Sequence, residues 1–312
     1  MENSTNLTEI EYQESQDNTR KQKLVVLSLK FILALWICLG NTLVIIAYSK
    51  FKSLRSVTNY WILHLAVADL FMGLSMFIEF GSFFQRTVLS GWSMYIYCAF
   101  LSLTINLSIF MTISLLVAVT VDRYIAIFWP LRYQTLITMK KAHKGITILW
   151  SSNIIVILTA AIHWRLETKE EIYCQIVPPI IEYSYIPGFL AAAVIIVTLY
   201  VHIFTAVYNQ AKKLQPQIET SKRDKNIKKN LIILKTAFFV IGIFLISWVP
   251  SIVTYGCMIY GGQTHLETVF LYIELLAYGN SGINPIIYAW RLKEFRRAFC
   301  ALLHIKHHVT LE

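Results

Sequence analysis

Polar side chains inside long apolar runs are the residues of this chain that could do chemistry. Asp69 lies in the middle of the apolar run 59–84. Other runs carry amide and hydroxyl side chains that can converge on it: Asn41, Thr112, Asn280, Ser281 and Asn284. A carboxylate ringed by such oxygens suits a small cation, and ionisable groups at membrane depth mark function by default. The alternative is a structural polar cluster that ties helices together.

A second candidate site consists of two carboxylates, Glu79 and Glu274. Glu79 lies ten residues after Asp69, and Glu274 lies eleven residues before Pro285. These separations correspond to about 15 and 16 Å along a helix, so we expect similar depths on adjacent helices. Such a pair can bind a cationic ligand, an amine or a basic peptide. Alternatively, each carboxylate bonds a local Tyr, Ser or Asn, or one is protonated by its neighbour's charge.

The run that begins at Cys98 ends in the charged sequence Asp122-Arg123-Tyr124. As a helix, Cys98 to Arg123 measures roughly 37 Å, which exceeds the thickness of a hydrocarbon core. We interpret it as a membrane-crossing helix with a potential disulfide anchor at one end and a charged switch at the other. Pro250 and Pro285 interrupt two later runs, and each is expected to kink its helix.

Composition explains which elements position these residues. Apolar side chains make up 56% of the 312 residues and charged ones only 15%, against about 25% charged in soluble proteins. Seven apolar runs are long enough to span a bilayer: residues 25–48, 59–84, 96–128, 145–163, 184–209, 232–257 and 268–290. Exposed backbone in lipid leaves only helices or a closed barrel, and the runs lack strand alternation. The predicted fold class is an all-α membrane protein, a seven-transmembrane helix bundle.

The distribution of basic residues predicts the orientation. Of the 28 Lys and Arg residues, 21 fall on one side of the seven runs and six on the other, and Lys30 lies within the first run. The positive-inside rule then places the N-terminus outside, in a multi-pass membrane protein. Two glycosylation sequons, at Asn3 and Asn6, agree with an extracellular N-terminus. The alternative is an unmodified tail.

We expect three segments along the chain: an extracellular N-terminal tail 1–24, a seven-helix domain 25–303 and a short cytoplasmic tail 304–312. Within the domain, residues 291–303 predict a short amphipathic helix on the inner membrane surface. Cys300 in this helix is a candidate for palmitoylation, although an unmodified thiol is as consistent with the sequence. The net charge of +10 does not indicate nucleic-acid binding, because the basic residues occupy the gaps between runs.

These motifs together resemble the rhodopsin-like (class A) G protein-coupled receptors, with some similarity to the adenosine and melanocortin types. The resemblance covers roughly residues 25–303. It is carried by Gly40-Asn41, Leu65 to Asp69, Cys98, Asp122-Arg123-Tyr124, Trp150, Tyr200, Phe244 with Trp248 and Pro250, and Asn284-Pro285 to Tyr288. It implies a bilayer-embedded receptor that is not an enzyme, with an extracellular ligand and a heterotrimeric G protein as partners.

The resemblance assigns roles at the inner end of the bundle. Asp122 would hold Arg123 at rest, until Arg123 meets the G protein as the sixth helix moves outward. Tyr200 and Tyr288 would stabilise that open state. Leu131 would insert into the G protein.

The resemblance also assigns roles nearer the outer end. Cys98 would pair with Cys174 in a disulfide bond, and Trp248 with Phe244 would transmit pocket occupancy to the Pro250 kink. Asp69 and its neighbours would hold sodium in the inactive state, with no other cofactor.

Several positions of the expected ligand pocket carry residues other than those that bind the known ligands of related receptors. Ile105 replaces the aspartate that binds amines in monoamine receptors, and Tyr278 replaces the lysine that carries retinal in visual pigments. Tyr255 and Ile176 replace the asparagine and phenylalanine of adenosine receptors. The expected pocket therefore combines Glu79 and Glu274 with an apolar wall: Ile105, Ile109, Ile176, Trp248, Ile252, Tyr255 and Tyr278.

The sequence also predicts how the chain signals. Many relatives carry an acidic partner for Arg123 where this chain has Asn230, so we expect raised basal activity. Thr310 is the single hydroxyl residue after residue 290, so arrestin recruitment through a phosphorylated tail should be weak. Two alternatives stay open. One is a ligandless, constitutively signalling or partner receptor; the other is a secondary transporter or proton-translocating seven-helix protein.

Overall fold

The computed structural model describes the backbone of residues 2–85, 91–167, 179–214, 222–262 and 264–304. Seven long helices lie within these ranges: α1 (Glu2–Lys50), α2 (Val57–Gln85), α3 (Gly91–Phe128), α5 (Met139–Glu167), α6 (Pro179–Leu214), α7 (Lys222–Gly261) and α8 (Glu267–Arg291). Two short ones, α4 (Tyr133–Leu136) and α9 (Lys293–Leu302), complete the set. These ranges contain no strand, so the predicted all-α class is confirmed.

Each of the seven apolar runs forms one of the long helices. Most helices extend beyond the predicted runs by a few residues, and α1 starts at Glu2, so its backbone continues through the predicted N-terminal tail. Five have the length and hydropathy of membrane spans within the described residues: Arg20–Lys50, Val57–Gly81, Ile96–Phe128, Ile186–Ala206 and Phe238–Gly261. The predicted fourth and seventh spans, in α5 and α8, do not meet this criterion. In α8 the buried polar residues Asn280, Ser281 and Asn284 dilute the hydropathy.

The bundle buries polar side chains within an apolar core and exposes apolar side chains on its outside. Asn41, Asp69 and Thr120 are fully buried, whereas Leu39 is 70% and Ile246 72% exposed. Exposed apolar faces of this kind are stable against lipid, since every helical backbone group bonds within its own helix. Helix α1 packs against α2 and α8, α3 contacts α2, α5 and α6, and α7 packs on α8.

Small residues allow the closest helix contacts. The indole of Trp36 in α1 donates a 2.9 Å hydrogen bond to the carbonyl of Gly282 in α8. A Cβ at Gly282 would lie 2.6 Å from Trp36 Cδ1, so this approach requires glycine. A Cβ at Gly73 of α2 would lie equally close to the sulfur of Cys38 in α1.

Helix α9 leaves the bundle after a break at Leu292, whose extended backbone (φ −105°, ψ 102°) ends α8. Phe295, Ala298 and Phe299 are buried on one side of α9, while charged residues are exposed on the other. The amphipathic helix predicted at residues 291–303 is thus present. Cys300 is a half-buried free thiol.

Candidate functional site

Arg123 is enclosed at the end of the bundle where α3 terminates, which we call the Arg123 end. Its Nε donates to Asp122 Oδ2 at 3.0 Å, and its Nη2 donates to the same oxygen and to Thr58 of α2. Asp122 is 2% and Arg123 5% exposed. A charge-assisted pair with little solvent access holds the guanidinium against α2 and α3. The structure therefore brings Asp122 and Arg123 together as the sequence predicted.

Tyr133 of the short helix α4 completes this enclosure. Its hydroxyl donates to Asp122 Oδ1 at 2.8 Å and accepts from Arg123 Nη2 at 3.3 Å. Burial raises the pKa of Tyr133 to about 12, and the Asp122 carboxylate adds to the rise. The phenol therefore keeps its proton throughout the working pH range and can donate to Asp122 at any of those pH values.

The sequence also predicts switch roles for Tyr124, Leu131, Tyr200 and Tyr288. Tyr124 stacks on His202 of α6, with ring centroids 6.2 Å apart. Tyr200 and Tyr288 are buried at 8% and 2% exposure in α6 and α8. Leu131, by contrast, is 96% exposed. Trp129 and Leu136, on either side of it in the chain, are also exposed, at 47% and 41%, so the connection after α3 presents several apolar side chains at the surface.

The middle of the bundle contains the predicted polar cluster. Asn284 Nδ2 donates to Asp69 Oδ2 at 2.9 Å, which joins α8 to α2. Asn41 Nδ2 donates to the backbone oxygens of Ile37 and Ser281, both at 3.0 Å, which joins α1 to α8. Thr112 of α3 is buried, at 4% exposure.

Several oxygen atoms of this cluster have no hydrogen-bond donor among the described residues. Asp69 Oδ1 and the side-chain oxygens of Asn41, Asn280 and Asn284 are buried and accept no hydrogen bond from the described residues. Buried polar atoms without partners are costly. A set of oxygens with a single carboxylate suits a hard monovalent cation, so these residues fit sodium. Within the described parts of the chain, no group of three or more His, Cys, Asp or Glu could hold another metal.

Aromatic rings connect the middle of the bundle to α7. The ring centroids of Trp248 and Phe244 lie 5.9 Å apart, and Phe244 stacks on Phe189 of α6 with centroids 5.7 Å apart. On its other side, Trp248 contacts Tyr278 of α8 at 6.4 Å. Since Pro250 lies two residues after Trp248, this stack is placed beside the point where α7 lacks a backbone hydrogen bond.

The two carboxylates Glu79 and Glu274 lie together at the opposite end, which we call the Lys30 end. Lys30 Nζ of α1 bonds Glu79 Oε1 at 2.7 Å and Glu274 Oε2 at 2.8 Å. The Tyr278 hydroxyl donates to Glu274 Oε1 at 2.5 Å, and Lys30 Nζ lies 5.4 Å from the centre of the Tyr278 ring. We call Lys30, Glu79 and Glu274 the ion triad.

The ion triad changes the interpretation of this site. The spacing of Glu79 and Glu274 correctly predicts that they face each other from α2 and α8. However, an internal ammonium stands where the sequence analysis expected a ligand's basic group. The expected local partner of Glu274 is also present, since Tyr278 donates to it.

The predicted apolar wall is only partly visible. Ile105, Ile109, Trp248, Ile252 and Tyr278 are all buried, at 8% exposure or less. Tyr255 is half-buried against Phe270, with ring centroids 5.6 Å apart. Ile176 lies outside the described residues.

Cys98 is disulfide-bonded, in agreement with its predicted role as an anchor. Its predicted partner, Cys174, lies outside the described residues. The side chains of Asn3, Asn6 and Asn230 are likewise not described.

Three residues of these sites escaped the sequence analysis. Lys30 carried a signal, because a cation inside an apolar run needs a buried partner. Thr58 and Tyr133 carried none, since a threonine near a helix start and a tyrosine in a short connection are ordinary in isolation.

Comparison with known proteins places the chain among receptors. Residues 40–288 match the family described as "7 transmembrane receptor (rhodopsin family)". The alpha-1A adrenergic receptor of Mus musculus is 28% identical over 306 residues, covering 86% of this chain and 65% of that receptor. The adenosine receptor A2a of Canis lupus familiaris is 28% identical over 310 residues, covering 91% and 73%. The chain thus spans slightly less than two thirds of the adrenergic receptors' length.

Proposed function

The chain belongs to the rhodopsin family of seven-transmembrane receptors, and from this premise we propose that it converts ligand binding into activation of a heterotrimeric G protein. The observation that carries the proposal is the enclosure of Arg123 by Asp122, Thr58 and Tyr133 at one end of the bundle. A buried arginine with these partners has two discrete arrangements, enclosed or released. The released side chain is the contact that a G protein would use.

Movement of α7 supplies the change between the two arrangements. Helix α7 packs on α8 and contains Pro250. Because proline has no backbone N–H, one helical hydrogen bond is already absent there, and α7 can bend at this point without breaking another. Outward movement of the part of α7 that precedes Pro250 opens space beside Arg123. The exposed Leu131 then lies at the edge of the surface that the G protein contacts.

Sodium is the proposed allosteric ion of the polar cluster. Asp69 supplies the charge, and the unpartnered oxygens of Asn41, Asn280 and Asn284 supply further ligands. A cation there stabilises the arrangement in which α1, α2 and α8 are joined. Replacement of sodium by potassium at constant ionic strength should therefore raise basal activity in the wild type and leave Asp69→Asn unchanged; equal responses would contradict the site.

The proposed orientation places the N-terminus outside the plasma membrane and the Arg123 end in the cytoplasm. The charge distribution supports this orientation. Glycosylation at Asn3 and Asn6, and palmitoylation at Cys300, follow as proposals. Loss of an endoglycosidase-sensitive mobility shift in Asn3→Gln/Asn6→Gln tests the first, and acyl-exchange labelling of Cys300→Ser tests the second. Weak arrestin recruitment is expected from the hydroxyl-poor tail.

Raised basal activity is the property that tests the proposal in cells. Asn230 cannot form an ion pair with Arg123, so among the described residues the resting arrangement depends on Asp122, Thr58 and Tyr133. Cells that express the chain should produce second messenger without ligand, above cells that express Arg123→Gln at equal surface density. Asn230→Glu should lower this basal signal several-fold.

The same cells provide the screen for ligands, with amines, peptides and lipids applied against the unstimulated control. Equal basal signals from wild type and Asn230→Glu would contradict the role of Asn230. Equal signals from wild type and Arg123→Gln, across all second messengers and all added compounds, would contradict G protein coupling itself.

A further inference from the structure

The short helix α4 presents an exposed threonine at the Arg123 end of the bundle. Thr135 lies within α4, in the connection between α3 and α5, and it is exposed together with its neighbours Gln134 and Leu136. Exposed connections are the parts of a folded chain that modifying enzymes reach most readily. This end is the one proposed to face the cytoplasm, where protein kinases and ATP are present. The Thr135 hydroxyl is therefore accessible to phosphorylation.

A recognition element for such an enzyme precedes Thr135. Arg132 lies three residues before it and is exposed, and many protein kinases bind an arginine at this spacing through carboxylates of their own. The spacing alone is a weak signal, because it recurs at Thr58 and Thr168. Thr58, however, is half-buried and accepts from Arg123 within the enclosure, and Thr168 lies outside the described residues. Thr135 is the hydroxyl of this pattern that the described structure exposes.

A cation that can receive a phosphate lies beside Thr135. Lys141 Nζ of α5 donates to the carbonyl oxygens of Thr135 and Leu136, each at 3.0 Å. Among the residues that the structure describes, no carboxylate forms an ion pair with Lys141. A phosphate on Thr135 Oγ1 belongs to the same residue as one of these carbonyls, so it comes within reach of the ammonium. An anionic acceptor holds an ammonium more strongly than neutral carbonyl oxygens do.

The backbone of α4 does not depend on the Thr135 hydroxyl. This hydroxyl donates to the carbonyl of Arg132 at 2.8 Å, a bond that is lost when a phosphate replaces the hydrogen. The backbone amides of Thr135 and Leu136 donate to the same carbonyl at 3.1 and 2.9 Å. The amide of Ile137 donates to the carbonyl of Tyr133 at 2.8 Å. These backbone bonds involve no side chain, so phosphorylation leaves the helix that positions Tyr133 in place.

We propose that Thr135 is a phosphorylation site through which a protein kinase, with ATP as phosphate donor, lowers the activity of this receptor. Thr135 Oγ1 attacks the γ-phosphorus of ATP, the bond from that phosphorus to the ADP oxygen breaks, and the hydroxyl proton passes to the base of the kinase. The product carries a charge of about −1.5 to −2 at neutral pH. Its pairing with Lys141 joins α4 to the start of α5.

The new ion pair acts on Arg123 through Tyr133. Tyr133 lies two residues before Thr135 in the same single helical turn, and its hydroxyl bonds both Asp122 and Arg123. Once α4 is joined to α5, this hydroxyl leaves Asp122 less often, so the enclosed arrangement of Arg123 is favoured. The effect is modest, because the pair with Lys141 is exposed to water. The effect on signalling rests on the receptor function proposed above, whereas the modification itself does not.

The first measurement is the incorporation of phosphate. The full chain in nanodiscs is incubated with ATP and a purified protein kinase that requires arginine three residues before the modified hydroxyl, and fragmentation mass spectrometry locates the phosphate. Wild type and Thr135→Ser should carry it at this position, and Thr135→Ala should not. Arg132→Gln should slow incorporation at least tenfold. Arg297→Gln removes an exposed arginine from α9 and should leave the rate unchanged.

The second measurement compares basal nucleotide exchange on a purified G protein before and after treatment with the kinase, which is removed before the assay. Treatment should slow exchange at least threefold in the wild type and leave Thr135→Ala unchanged. Lys141→Gln should incorporate phosphate as the wild type does but keep its exchange rate, because the receiving ammonium is missing. Lys140→Gln removes the neighbouring exposed lysine and should respond as the wild type does.

Three results would overturn the proposal: no phosphate at Thr135 of the folded wild type, no slowing of exchange by that phosphate, or equal slowing in Lys141→Gln. Absence of exchange before treatment would instead contradict the receptor function. Hydrogen exchange at the backbone amides of Leu136 and Ile137 then decides on the site. Phosphorylation should slow it in the wild type but not in Lys141→Gln, and equal rates in all four samples would overturn the proposal.

Discussion

At the residue scale, the chain encloses one arginine with three different kinds of partner. Asp122 supplies charge, Thr58 a hydroxyl from a neighbouring helix, and Tyr133 a hydroxyl from the connection after α3. Hydrogen bonds to charged groups contribute about 1.5–3 kcal/mol each, more than bonds between neutral groups. Release of Arg123 must therefore be driven by comparable contacts with a partner.

Tyr133 offers the most selective change at this site. Tyr133→Phe removes the hydroxyl that bridges Asp122 and Arg123 but keeps the ring. The loss of about 1.5 kcal/mol should raise basal nucleotide exchange about tenfold, because the enclosed arrangement alone is weakened. Since the phenol stays protonated with its pKa near 12, the effect should be constant between pH 6 and 8. Basal exchange on a purified G protein measures it.

The control is Tyr272→Phe, which removes an equivalent hydroxyl from a tyrosine that is 44% exposed in α8. It should leave basal exchange unchanged. A Tyr133→Phe variant with wild-type exchange would show that this hydroxyl does not hold Arg123.

Residue spacing predicted the contacts that depend only on the depth of each residue along its helix axis. The depths of Asp69, Asn284, Glu79 and Glu274 follow from the helical rise, and the structure brings each pair together. Lys30 was not assigned because the rotation of α1 about its own axis cannot be read from its apolar run. Tyr133 was not assigned because its position depends on how the chain turns after Phe128.

At the element scale, α7 and α8 are joined at the Arg123 end by one cation. The Arg291 guanidinium lies 5.0 Å from the Phe239 ring of α7 and 4.9 Å from the Trp290 ring of α8. The two rings are themselves 5.6 Å apart, edge to face. Cation–π contacts at partly exposed sites contribute about 0.5–1 kcal/mol each. Arg291 therefore opposes the outward movement of α7.

Arg291→Gln tests this contact. The variant should favour the outward arrangement of α7 and raise basal nucleotide exchange about two- to fivefold, since roughly 0.5–1 kcal/mol is lost. Arg297→Gln removes a similar charge from the exposed side of α9 and should have no effect. A rise in both variants would indicate an effect of membrane-surface charge, and a rise in neither would remove Arg291 from the mechanism.

At the scale of the whole molecule, the sequence predicted the number, order and approximate bounds of the long helices. Hydropathy was sufficient to find these helices, because a helix in lipid exposes apolar side chains and satisfies its backbone groups internally. The helical start of α1 at Glu2 was not expected, because residues 2–19 have no apolar run. The helix continues there by extension of an existing helix, which avoids the cost of a new nucleus.

The two ends of the molecule are connected through the polar interior. The ion triad, the Tyr278–Trp248 contact and the Asp69–Asn284 bond all involve α8. Helix α8 is also the neighbour of α7, whose movement is proposed to open the Arg123 end. The contacts of the ion triad therefore reach the helix pair α7 and α8, on which the proposed release of Arg123 depends.

The central claim is that this chain activates a G protein through Arg123. The most direct measurement is the rate of GDP release from purified heterotrimeric G proteins of each major class, with the full chain in nanodiscs. The wild type should accelerate release from at least one class by tenfold or more, and Arg123→Gln, with an unchanged unfolding midpoint in circular dichroism, should lose this acceleration. Equal rates with wild type and Arg123→Gln across all classes would contradict it.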